Sequence, residues 1–233
     1  MNWLAEQSAI FNLHLTVEQQ HQFALYQELL LAWNERMNLT AVREPQQIQE
    51  RHFLDSLSCA IVTGNLNGRS LIDVGTGAGF PGLPLKILFP KLQLVLVESV
   101  IKKTEFLQAV VATLELPDVE IIAERSEILG QMHAHREHYD WVTARGVAEL
   151  RVLAEYLLPL CRVGGYALSP KGDGVQGEVK VAETAVHTLG GAMPKIHPIQ
   201  LPAKKHYLVL IEKVTSTPPK FPRRVGIPAK RPL

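Results

Sequence analysis

Residues Leu71–Pro90 read LIDVGTGAGFPGLPLKILFP, and this stretch decides the fold. An apolar run meets four glycines within eight positions (Gly75, Gly77, Gly79, Gly82), and a second, helix-compatible apolar run follows. A turn from strand to helix needs glycine where φ is positive and where backbone must touch a ligand. In a doubly wound sheet the first such turn lies at the carboxyl end of its strand, beside the topological switch point, where ligands collect. Pro81 is tolerated near the start of the next helix because the first helical N–H groups have no intrahelical partner.

Outward from this turn, short apolar runs alternate with helical patterns. Strands are expected at SLIDV (Ser70–Val74), LQLVLVE (Leu92–Glu98), VEII (Val119–Ile122), YDWVTA (Tyr139–Ala144) and GGYALS (Gly164–Ser169). Helices are expected at GLPLKILF, KKTEFLQAVVATLEL and VAELRVLAEYLLPL. That alternation is the signature of right-handed βαβ units around a buried parallel sheet. The run KIHPIQLPAKKHYLVLIEKV contains two extended segments with no long helix between them, which predicts a closing antiparallel hairpin. The first third is helical. TVEQ (Thr16–Gln19) fits a capping box, and Phe23, Tyr26, Leu30, Trp33 and Met37 follow at steps of three and four, as a helix core stripe. NLT (Asn38–Thr40) ends that helix, and Pro45 suits the first turn of a second one, PQQIQERHFLDSLSCAIV. The expected organisation is a helical extension over residues 1–66, an α/β domain over 67–214 and a tail over 215–233.

Which ligand the glycines serve is the next question. Gly77-x-Gly79-x-x-Gly82 is the dinucleotide pattern, and it keeps a nicotinamide-dependent oxidoreductase open. Glu98, 23 residues after Gly75 at the end of the next strand, is placed to take both ribose hydroxyls of any nucleotide cofactor. The spacing Asp73-x-Gly75-x-Gly77-x-Gly79 separates the candidates. A dinucleotide loop sets a helix N-terminus against a pyrophosphate, where a carboxylate is badly placed. S-adenosylmethionine carries no phosphate, a sulfonium cation and a zwitterionic end, so an acid before the loop suits it. Arg145 also stands out, because a charge at the carboxyl end of a central strand is costly unless it is paired or bound to ligand.

Composition narrows the class. The 233 residues carry a net charge of +1, but five of the 24 Lys and Arg residues (Lys220, Arg223, Arg224, Lys230, Arg231) fall in the last twenty positions, which hold no acid. The remaining 19 face all 23 acidic residues. Five prolines in those twenty positions argue against a helix and for an extended arm, either solvated or lying along phosphates. The start MNWLAEQSAI lacks a basic n-region and carries Glu6, and no uncharged apolar run reaches about 18 residues, so neither a signal peptide nor a membrane span is expected. Cys59 and Cys161 offer no metal spacing or disulfide framework and fit reduced thiols in a cytoplasmic protein. HAHREH (His133, His135, His138) lacks partner ligands at a zinc spacing, and no metal site is expected.

Taken together, WNERMNLTAVRE (Trp33–Glu44), RHFLDSL (Arg51–Leu57), DVGTGAGFPGLPLKI, VESVIKKTEFL, ERSE, VTARGVA and PPKFPRRVGIPAKRPL closely resemble the ribosomal small-subunit RNA methyltransferase G family, also called glucose-inhibited division protein B. The resemblance implies a class I methyltransferase: a Rossmann-like, mostly parallel sheet with an antiparallel last strand and an N-terminal helical extension. It implies S-adenosyl-L-methionine as cofactor and methylation of N7 of one guanine in 16S rRNA. The partner would be that RNA, the 30S subunit or an assembly intermediate, and the enzyme is taken as a monomer. Asp73, Gly75, Gly77 and Phe80 match the family's cofactor loop, Glu98 the acid of the second strand, and Ser126 and Glu127 the pair beside the adenine. Arg145 and Lys171 are the catalytic candidates, Arg145 also toward the cofactor. Here Ser169 and Pro170 separate Lys171 from Leu168, whereas the family pattern sets the lysine directly after the leucine. Arg51, His52 and the basic tail residues are the RNA-binding candidates, with an Arg51–Asp55 helix pair as the plainer account of the first. No Asn- or Asp-Pro-Pro-aromatic motif for exocyclic amines and no Pro-Cys nucleophile for cytosine C5 is present. N7 already holds a lone pair and loses no proton, so alignment and electrostatics suffice.

Overall fold

The computed structural model describes residues 1–202 and 205–233. Seven strands form one sheet: β1 (Ser70–Val74), β2 (Gln93–Val97), β3 (Val119–Ile122), β4 (Tyr139–Thr143), β5 (Cys161–Lys171), β6 (Lys195–Gln200) and β7 (Lys205–Glu212). Their order is β3-β2-β1-β4-β5-β7-β6. The pairs β1–β4, β2–β3 and β4–β5 are parallel, and β7 runs antiparallel to both β5 and β6. This is the class I methyltransferase sheet, and β6–β7 is the expected closing hairpin. Its connection contains Ala203 and Lys204, which lie outside the described residues. β1 and β4 are buried over most of their length, as strands covered on both faces must be. β5 is longer than GGYALS predicts, because its pairing with β4 resumes at Cys161 across an irregularity at Tyr139/Trp141.

The chain divides into two compact units. The first comprises residues 1–69 and 76–123. It holds α1 (Asn2–Ala9), α2 (Val17–Met37), α3 (Pro45–Ile48), α4 (Asp55–Leu57), α5 (Ala60–Thr63), α6 (Gly82–Leu88) and α7 (Ile101–Thr113). The capping box is present at both ends: the Thr16 hydroxyl accepts from the Gln19 N–H (3.2 Å), and Gln19 Oε1 accepts from the Thr16 N–H (2.9 Å). Asn38 ends α2 in the left-handed conformation. The single helix expected over residues 45–62 is broken instead. Gln49–Leu54 forms a π-helical turn between α3 and α4. Such a turn brings residues five apart onto one face, and Ile48 and Phe53, both fully buried, are five apart.

The second unit comprises residues 70–75 and 124–233. It holds α8 (Ser126–Leu129), α9 (Leu150–Leu157), α10 (Val175–Thr188) and α11 (Ile227–Lys230). The helix expected from Val147 starts only at Leu150, whose N–H is taken by the Glu178 carboxylate (2.5 Å). The sequence reading assigns no element to α10, although Val175, Val179, Ala182 and Val186 are buried along one face at steps of four, three and four. The tail is not the extended arm that its prolines suggest. It contains α11, where Pro228 occupies the tolerated first turn, and it buries Phe221 and Thr217.

Candidate active site

In the first unit, the glycine loop is fastened from several sides. The Thr76 carbonyl accepts from the N–H groups of Gly79 (3.0 Å) and Phe80 (3.1 Å), and the Thr76 N–H donates to the Val97 carbonyl (3.1 Å). The Tyr26 hydroxyl, from the α2 stripe, donates to the Ala78 carbonyl. A Cβ on Gly79, whose φ is +95°, would come within 2.6 Å of that same hydroxyl. Only glycine fits there on both counts. Phe80 is 4 % exposed and stacks on His52 (4.7 Å) and Tyr26 (5.5 Å), so its ring belongs to an aromatic core.

Glu98 follows β2 and is 6 % exposed. Its Oε2 accepts from the Gly77 N–H (3.1 Å), its Oε1 accepts from the Val100 N–H (2.8 Å), and Lys103 Nζ stands 3.9 Å away. Each carboxylate oxygen keeps a further lone pair. A Cβ on Gly77, at φ +63°, would meet nothing within 4 Å, so the loop backbone borders open space there. An immobilised, desolvated acceptor beside uncovered glycine backbone fits the ribose of a nucleoside cofactor.

In the second unit, Asp73 is fully buried at the end of β1, in register with Thr143 of β4. A Cβ on Gly75 would lie 2.7 Å from Val147, which keeps this backbone close to the turn after β4. Arg145 is half-buried in that turn. Lys171 ends β5, and its ammonium is engaged: Nζ donates to the Ala148 carbonyl (2.8 Å) and to Glu178 (2.5 Å). Glu178 thus holds both Lys171 and the first N–H of α9, which fixes the far end of the segment that follows Arg145, at Ala148 and Leu150.

Ser126 and Glu127 open α8 and are each 6 % exposed. Glu127 Oε1 accepts from the Gly226 N–H (3.0 Å). The tail that supplies this N–H is tied down elsewhere too. Arg223 donates from its backbone (2.7 Å), its Nε (2.9 Å) and its Nη2 (2.6 Å) to Glu155, a carboxylate only 1 % exposed. Its guanidinium pKa rises accordingly, through that hydrogen-bonded pairing. Lys220, Arg224, Lys230 and Arg231 are exposed. The sequence reading gives Glu155, Glu178 and Arg136 no role, because each meets its partners far along the chain or through the backbone and leaves no local pattern.

The remaining candidates separate in the same way. Arg51 is exposed, Asp55 is buried, and His52 is held by the Thr40 hydroxyl (2.7 Å) under Phe80, so the three do not share one outward face. In HAHREH, His135 Nδ1 lies 2.7 Å from the Tyr139 hydroxyl. Among the described residues no group of three or more His, Cys, Asp or Glu side chains is arranged to hold a metal ion. Cys59 and Cys161 are buried and not joined in a disulfide, and burial pushes the Cys161 pKa up to about 12.

Comparison with known proteins fits this geometry. The family described as GidB, rRNA small subunit methyltransferase G, matches residues 19–207. The chain is 51 % identical to the ribosomal RNA small subunit methyltransferase G of Roseiflexus castenholzii over the whole of both chains. It is 47 % identical to that of Chloroflexus aggregans, over 99 % of this chain and 97 % of the relative. Among solved structures, it is similar in fold to a precorrin-6y C5,15-methyltransferase from Geobacter metallireducens (TM-score 0.51, 10 % identity, 69 % of this chain and 87 % of that one). A 16S rRNA adenine-N1 methyltransferase from Catenulisporales acidiphilia is similar to the same degree (TM-score 0.52, 16 % identity, 66 % and 88 %). Methyl transfer therefore replaces the oxidoreductase reading that the three spaced glycines had kept open. The chain belongs to the ribosomal RNA small subunit methyltransferase G family.

Proposed function

We propose that the enzyme transfers the methyl group of S-adenosyl-L-methionine to N7 of one guanine in 16S rRNA, taken as RNA, as the 30S subunit or as an assembly intermediate. The observation that carries the cofactor part of this reading is Glu98, desolvated and gripped by two backbone N–H groups beside the open backbone of Gly77, and the RNA part rests on the family to which the chain belongs. When bound, the cofactor supplies an electrophilic methyl group on a sulfonium centre. Glu98 accepts hydrogen bonds from the ribose hydroxyls. Asp73 supplies negative charge toward the cationic end, Gly75, Gly77 and the backbone at Phe80 shape the loop, and Ser126 with Glu127 flank the adenine. Arg145 orients the base, its guanidinium suited to guanine O6. Lys171, whose ammonium is committed to Ala148 and Glu178, acts as a positioning residue for the turn that carries Arg145. The exposed cations Arg51, Lys220, Arg224, Lys230 and Arg231 neutralise RNA phosphates. No residue need act as a general base, because N7 attacks with a lone pair it already has.

Two measurements test the reading. Mapping 7-methylguanine in 16S rRNA from cells with and without the protein should show one modification that depends on it. Calorimetry should show saturable binding of S-adenosyl-L-methionine and none of NAD, and the reverse result would end the proposal.

A further inference from the structure

We infer that the segment from Thr217 to Pro228 is a strap that sets the α8 turn, and that Pro222 and Gly226 are positioning residues for the adenine end of the cofactor seat. The inference rests on the reading of Ser126 and Glu127 as cofactor residues, which it deepens. α8 is a single four-residue turn, and Arg125 at its N-cap provides no side-chain cap. One helical turn cannot hold itself in water, since nucleation fixes several dihedrals for one hydrogen bond. Something outside it must impose its shape.

The tail reaches both ends of that turn. At the start, the Gly226 N–H donates to Glu127 Oε1 (3.0 Å) and fixes the rotation of the carboxylate. At the end, Pro222 lies against Gly130 so closely that a Cβ there would sit 2.8 Å from its Cγ. Beyond the turn, Gln131 Nε2 donates to the Pro222 carbonyl (2.8 Å). Arg136 Nη1 bridges the carbonyls of Gly130 (2.8 Å) and Phe221 (2.7 Å), and its Nη2 donates to the Thr217 carbonyl (2.7 Å). The strap is itself anchored on α9 through Arg223 and Glu155, and α9 touches both α8 and α11. A phosphate-binding arm needs none of these contacts.

The test is calorimetric titration of S-adenosyl-L-homocysteine, without RNA, into four proteins: the full chain, a chain ending at Val225, Glu127→Ala, and the two changes combined. The shortened chain keeps Pro222 and the Arg223–Glu155 pair and loses the Gly226 N–H. We expect roughly tenfold weaker binding for the shortened chain, as for loss of one charge-assisted contact. Glu127→Ala should weaken binding by about as much, and the combination should be no worse than Glu127→Ala alone. Adenosine as ligand should show the same loss. Gly130→Ala, which keeps the whole tail and forces Pro222 away, should lower affinity in the same direction and decides the matter where the shortened chain does not fold. Full affinity in both the shortened chain and Gly130→Ala, with Glu127→Ala weakened, overturns the strap and leaves the cofactor reading standing. Losses that multiply in the combined protein also overturn it. Unchanged binding by Glu127→Ala overturns the cofactor reading of that residue, and the strap's function with it.

Discussion

The glycine loop and the C-terminal tail both leave regular backbone, the loop through glycine's freedom and the tail through proline's restriction, and they are fixed in different ways. In the loop the first constraints are local: the Thr76 carbonyl is met by N–H groups three and four residues on, and φ values above zero demand glycine at fixed positions. In the tail the fixing partners lie far back in the chain. Arg223 meets Glu155 across 68 positions, Phe221 meets Arg136 across 85, and Gly226 meets Glu127 across 99. A basic, proline-rich composition describes the tail's own preferences, and those partners override them. Charge in this tail therefore has two uses. Arg223 is half-buried and neutralises a buried acid, whereas its neighbour Arg224 faces solvent.

The comparison breaks or sharpens at a few positions. The largest effect is expected at the loop: Gly79→Ala combines an unfavourable left-handed backbone with a close approach to Tyr26, and should destabilise by about 3–4 kcal/mol in urea unfolding. A loss below about 1 kcal/mol would show that neither the left-handed backbone nor the Tyr26 approach dictates this position. Arg223→Ala comes next. Leaving Glu155 buried without its guanidinium should cost about 3 kcal/mol, and a cost no greater than that of Arg224→Ala would return the whole tail to the status of a solvated arm.

Asp140, which lies in neither region, calibrates the scale. Burial pushes its carboxyl pKa up, but the Ser70 N–H and hydroxyl and the Arg162 guanidinium outweigh that and lower it. Its contribution is therefore present above the ordinary aspartate pKa of about 3.9 and is lost as pH falls through the lower folded value. Asp140→Asn should cost about 1–2 kcal/mol at pH 7 and progressively less below about pH 4, measured as unfolding free energy against pH. Arg224→Ala should change stability by less than about 0.5 kcal/mol while lowering the salt dependence of RNA binding by nearly one counterion. Smallest of all, Cys161 should resist alkylation in the folded protein at neutral pH, since its thiol titrates near 12. Ready labelling would mean that its surroundings open.

These contrasts also explain what could be read from residues alone. Strand positions were legible because β1, β3 and β4 are short apolar runs bounded by turns, and the α2 capping box because both of its partners lie within four residues. The helix α10 escaped because Gly174, Gly177 and a series of valines mask a clear step of four and three. The break at Gln49–Leu54 escaped because only packing reveals that Ile48 and Phe53 share a face. Asp73 and Glu98 could be picked out by their places at strand ends. That Lys171 is committed to Ala148 and Glu178 could not, since an exposed-looking lysine in SPKGDG carries no trace of an acid seven residues on.

The Gly226–Glu127 contact has a consequence in time. During synthesis Glu127 emerges 99 residues before the N–H that steadies it, a lag of about 5–20 s at ordinary elongation rates. The sheet can close only once β7 has been made, at Glu212, and the α8 turn still lacks its brace for the last 14 residues of that interval. The growing chain thus acquires its architecture before it completes the seat proposed for its cofactor, so an enzyme that modifies ribosomal RNA would be finished only after its own ribosome has read past residue 226.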